Sequence, residues 1–196
     1  MVNKSMQLNF NSVFVIMDFQ QTIVKNMVST AVSESAIINA LKLREKAREA
    51  GVPVLYIKVA FSERYEEIDE WNKLFASIKQ LDILKIGDEG TCLDERIIPS
   101  VTESVFIKHR VSAFSSSEFS GYLENNKVKT LILAGLSTSG VILSTVRQAS
   151  DLDYRIIVAE DACGDREEHV HRFLMKDILP MQAEVLDTET IIKLLG

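Results

Sequence analysis

Cysteine is nearly absent from this chain: Cys92 and Cys163 are the only two in 196 residues. Two are too few for a disulfide framework or a cysteine metal cluster. Three prolines and a single tryptophan, Trp71, leave no proline-rich linker and little aromatic surface. No apolar run approaches membrane-spanning length; Val13–Met17 and Leu131–Leu136 are among the longest. Basic excess is missing too. The net charge is −6 with histidine neutral, which argues against a nucleic-acid partner. The start, Met1 to Asn11, lacks the apolar stretch and cleavage pattern of a signal peptide, so a cytoplasmic location is expected. Of three histidines, His169 and His171 are two apart and point to different sides of a helix, while His109 adjoins Lys108 but should alternate away from it in a strand. No metal and no cofactor are expected.

What is present is an alternation of short apolar runs and longer helical patterns, the mark of βαβ units around a mainly parallel sheet. Strands are predicted at Val13–Met17, Val54–Phe61, Ser104–Ile107, Thr130–Ala134, Arg155–Ala159 and Glu184–Leu186. Helices are predicted over Ser33–Ala50, from a Ser115/Glu118 capping box to about Asn125, from about Gly140 to Ser150, over Arg166–Lys176 and over Thr188–Leu195. With no repeat, linker or low-complexity tract, residues 1–196 read as a single α/β domain: a three-layer, doubly wound, Rossmann-like fold with six strands. The stretch Ser62–Thr102 is the least regular. A helix around Asp69–Lys79 is expected there, the rest being a lid, an oligomer contact or a surface excursion.

In a doubly wound sheet the ligand lies beyond the C-terminal strand ends. Three features fall at such ends: Asp18 after V-F-V-I-M, Lys108 after V-F-I, and the Leu136–Gly140 loop after L-I-L-A-G. Brought together, they would set a carboxylate, an ammonium and a helix N-terminus around one crevice.

These segments carry a resemblance. M-D-F-Q-Q (Met17–Gln21), I-K-H-R-V-S-A-F (Ile107–Phe114), G-L-S-T-S-G-V (Gly135–Val141), D-L-D-Y, D-A-C and L-P-M-Q-A-E-V resemble, in order, the motifs of the isochorismatase-like superfamily, the cysteine hydrolases. The resemblance implies that family's hydrolase fold, a small-molecule substrate, and a homo-oligomer, dimer or tetramer. It also implies a triad of Asp, Lys and Cys, with the Cys in a loop of the form G-x-A/S-T-x-x-C-V-x-x-T. Asp18 and Lys108 match the first two members; Val141 stands where the cysteine would be. A cis peptide between Leu136 and Ser137 is implied as well.

Valine cannot form a covalent intermediate. The reading is therefore a hydrolase using Asp18 and Lys108 without a cysteine nucleophile, on a vinyl ether or a C–N bond. The vinyl-ether route needs a general acid and a positioned water rather than a nucleophile. The alternative is a catalytically inactive member that binds a small molecule or serves a structural role. Phe19, Gln20, Phe61, Phe114, Leu136, Ser137, Gly140 and Val141 are expected to bind substrate. Arg110, Arg64 and Lys58 are the candidates for holding a substrate carboxylate. The nicotinamidases of the superfamily hold a metal after the second strand, but Val59–Arg64 has no histidine.

Overall fold

The computed structural model describes residues 11–196; the leader reading of Met1 to Asn11 therefore lies, but for Asn11, outside the described residues. Six parallel strands form one sheet in the order β3-β2-β1-β4-β5-β6. They are β1 (Ser12–Met17), β2 (Val54–Val59), β3 (Ser104–Lys108), β4 (Thr130–Leu136), β5 (Arg155–Gly164) and β6 (Glu184–Leu186). The chain winds outward from β1 on one side and from β4 on the other. The order thus reverses between these two central strands, where every residue is buried, as both-faces-covered parallel strands require.

Alternation along β1 divides the core. Phe14 and Ile16 face the layer formed by α2 (Thr30–Glu49) and α7 (Thr188–Leu194), with α1 (Gln21–Asn26) and α3 (Lys73–Gln80) beside them. Val13, Val15 and Met17 face the layer holding α4 (Ser117–Asn125) and α5 (Leu143–Asp151). Gly135 sits where β4 passes β1; a Cβ there would come within 2.8 Å of the Met17 carbonyl, so the close approach requires glycine.

Several boundaries differ from expectation, each for a local reason. The long helix α2 begins earlier because Ser29 caps it, accepting from the Val32 N–H. The capping serine of α4 is Ser116, which accepts from Phe119, while Ser115 donates to the Ser112 carbonyl. The expected helix over Arg166–Lys176 divides into α6 (Glu168–Phe173) and a wider π turn over Leu174–Ile178. Strand β5 runs on to Gly164 with a register shift against β4 between Leu133 and Gly135. No described helix is long and apolar enough to cross a membrane.

A candidate active site at the sheet switch point

Asp18 directly follows β1 with its backbone in the left-handed region, φ 60, a conformation that Asp tolerates better than most residues. Lys108 ends β3, two strands away in the sheet. Their side chains meet: Lys108 Nζ lies 2.8 Å from Asp18 Oδ2 and also donates to the Arg110 carbonyl at 3.1 Å. Both residues are almost sealed, at 4% and 2% exposure. Burial pushes the Asp18 carboxyl up from its ordinary value, and the neighbouring ammonium offsets only part of that. The second oxygen, Oδ1, is buried and has no hydrogen-bond partner among the described residues. A buried carboxylate oxygen with no partner is rare in folded proteins.

Asp18 and Lys108 form part of the wall of a cavity of about 320 Å³. The loop after β4 supplies Leu136, Ser137, Ser139, Gly140 and Val141 to the same wall. The Leu136–Ser137 peptide is cis. The chain then enters a π turn, Thr138–Ile142, before α5. Its cap is Ser137, whose Oγ accepts from the Gly140 N–H at 3.2 Å. Val141 is 2% exposed and presents only methyl groups to the cavity.

The loop is fixed from behind. Asp165 Oδ2 accepts the Ser139 N–H at 2.7 Å, and Thr138 Oγ1 shares a 2.7 Å hydrogen bond with His171 Nδ1. Burial lowers the His171 pKa, which favours the neutral ring. Asp165→Ala should leave the Ser139 N–H without its acceptor and lower stability by about 1–3 kcal/mol. Asp165→Asn, which keeps an oxygen there, should lose less. Urea unfolding of the two variants measures the difference.

Four expected binding residues lie outside the cavity wall. Phe19 is wholly buried in the core below it. Gln20 ties backbone together: its amide nitrogen donates to the carbonyls of Val59 (2.8 Å) and Thr91 (3.2 Å), and its oxygen accepts the Val59 N–H (2.7 Å). Phe61 stands behind Phe75, ring centroids 5.4 Å apart. Phe114 packs on the opposite face of the sheet against Phe119 and Tyr154. These aromatic rings stabilise the walls without forming them.

The walls that the sequence reading missed come from α1 and the irregular stretch. Ile23 projects from α1 and Met27 follows it; Leu74, Phe75 and Ile78 project from α3; Leu84 follows. The signal was present in α3, where Leu74, Phe75 and Ile78 share one side at helical spacing. Leu74 is 56% exposed and marks the mouth.

The three candidate cations are not in this wall. Arg110 points elsewhere: its guanidinium donates to the carbonyls of His109 (2.6 Å) and Glu67 (2.8 Å) and lies 5.9 Å from the Phe75 ring centroid. Arg64 is exposed and Lys58 half-buried. His109 turns from the crevice and bonds the Ala60 carbonyl through Nδ1 at 2.7 Å. Cys163 is buried outside the cavity, and burial pushes its thiol up to about 12, which keeps it from acting as a thiolate. Among the described residues, no group of three or more His, Cys, Asp or Glu side chains is placed to hold a metal ion.

Comparison with known proteins gives a consistent family. The isochorismatase domain matches residues 12–190. N-carbamoylsarcosine amidase of an Arthrobacter species is 29% identical over 83% of this chain, the match spanning 62% of that protein's own length. The uncharacterized isochorismatase family protein YecD of Escherichia coli O157:H7 is 26% identical over 92% of this chain and 94% of its own. The fold is that of a cysteine hydrolase from Pseudomonas syringae pv. phaseolicola 1448A, with TM-score 0.86 and 20% identity, covering 96% of this chain and 94% of that one.

Proposed function

This chain belongs to the isochorismatase family, and from that premise we propose that it is a hydrolase of a small molecule that works through Asp18 and Lys108 without a cysteine nucleophile. The observation that carries the reading is the sealed Asp18–Lys108 pair, 2.8 Å apart in the cavity wall, with Asp18 Oδ1 unpartnered among the described residues. A chain with no use for two charges in so dry a place gains by replacing them with apolar groups. Val141 occupies the place of the family's cysteine in this reading, so water is the nucleophile.

Two bonds suit that arrangement. With Asp18 ionised, Oδ1 takes a proton from water as its oxygen attacks an acyl carbon, and returns the proton to the departing nitrogen. With Asp18 protonated, it gives its proton to the carbon of a vinyl ether, and water adds to the cation that results. Lys108 compensates the carboxylate in either cycle and holds its orientation. A cytoplasmic location and a homo-oligomeric assembly, dimer or tetramer, belong to the same proposal.

The test is a mass-spectrometric turnover screen of purified protein with amides, ureas, N-carbamoyl compounds and vinyl ethers including isochorismate. Turnover that Asp18→Asn abolishes supports the hydrolase. Turnover that survives in Asp18→Asn rejects this site. If nothing in the panel turns over while small molecules still bind in the cavity, the chain is an inactive, binding member of its family. The buried methyl groups of Val141 favour that second reading.

A further inference from the structure

We propose that the cavity selects an uncharged molecule with a branched aliphatic or aromatic body and a small hydrogen-bonding head, and that it rejects carboxylates. This rests on the reading of the cavity as the active site and narrows its substrate class. Around most of the mouth and walls the contacts are methyl, thioether and phenyl: Met27, Leu74, Phe75, Ile78, Val111 and Val141. Among the described residues, the ionisable ones lining it are only Asp18 and Lys108. At 2.8 Å their opposite charges cancel for any third group, and Lys108 has a further acceptor in the Arg110 carbonyl. An entering carboxylate finds no free cation among the described lining residues to replace its water. Arg110 cannot serve, since it is held behind Phe75 by two carbonyls. A neutral amide, carbamate or ether head faces no such barrier. The Ser137 and Ser139 hydroxyls in the same wall offer it neutral hydrogen-bonding groups. The volume, about 320 Å³, is at the small end for small-molecule sites and suits a head with one short branched or ring substituent.

Matched pairs that differ only in the head group test this: isovaleramide against isovalerate, and benzamide against benzoate. Each is titrated into the native chain by calorimetry at pH 8. The amides should bind at least about tenfold tighter than the carboxylates. Leu74→Arg, at an exposed position of the mouth, adds the absent cation with little risk to folding. It should shift the amide-to-carboxylate ratio toward the carboxylates by about tenfold or more. Carboxylates that bind the native chain as well as the amides overturn the proposal. So does failure of either amide to bind, or an unchanged ratio in a folded Leu74→Arg. Amide binding without turnover of any compound in the screen removes the hydrolase reading and keeps this one. Turnover with carboxylate preference does the reverse.

Discussion

Asp18→Asn is expected to lower kcat/KM by about 100- to 10,000-fold, the usual worth of a positioned acid or base. Asparagine keeps the shape of the side chain and leaves an oxygen for the Lys108 ammonium, so the cavity and its ligands should survive. What disappears is the proton that Oδ1 takes and returns. Ligand affinity of the variant, measured beside its turnover, separates the two effects: affinity within a few-fold of native with turnover gone places the loss in chemistry. The pH profile of the native protein then distinguishes the two bonds. Asp18 titrates above the ordinary carboxylate range because it is buried. If its ionised form attacks through water, kcat/KM rises with pH through that raised value. If its protonated form donates to carbon, kcat/KM falls through the same value. A flat profile with full activity in Asp18→Asn would end the proposal.

Lys108→Met should show the largest change in stability, about 3–5 kcal/mol at neutral pH, because it leaves a carboxylate buried without its partner. The pH dependence has a defined sign. A carboxyl whose pKa is higher folded than unfolded holds its proton more tightly in the folded state. Stability from this group is therefore full below the ordinary carboxylate pKa and is lost as pH rises through the raised folded one. In the native protein Lys108 pulls that folded value down. Without it the value climbs further and the window of loss extends upward. Denaturant midpoints of Lys108→Met should thus converge on the native ones in acid and diverge toward neutrality. Equal midpoints at all pH values would mean that the two side chains do not share the buried environment described.

The sheet could be read from the chain because both faces are covered. A strand such as Val13–Met17 then has no polar alternation to obscure it, and its end is marked by the first residue that cannot be buried alone, Asp18. The same logic located Lys108, and the end of the apolar run L-I-L-A-G located the Leu136–Gly140 loop. The aromatic residues misled for the opposite reason. Phe19 and Phe114 also follow strand ends, but position in sequence does not say which side of the sheet a ring takes; packing decides it. Gln20 was expected to bind substrate, yet its amide hydrogen-bonds three backbone groups, two of Val59 and one of Thr91. Helix α1 was missed because at six residues it is too short to establish a period. The part played by α3 was hidden because nothing in Leu74, Phe75 and Ile78 tells which surface an amphipathic helix will cover. The Thr138–His171 and Asp165–Ser139 contacts join distant segments and have no local pattern at all.

The two parts of the cavity come from different kinds of chain. Asp18, Lys108 and the Leu136–Val141 loop are mounted at the ends of β1, β3 and β4, whose positions the register of the sheet fixes. Leu74, Phe75, Ile78 and Leu84 belong to an excursion between β2 and β3 that no strand register depends on. Mutation can therefore explore the second without endangering the first. A lineage built this way can keep one reaction centre and drift from one diet to another by rewriting a single surface excursion, so related chains with the same strand-end residues need share no substrate.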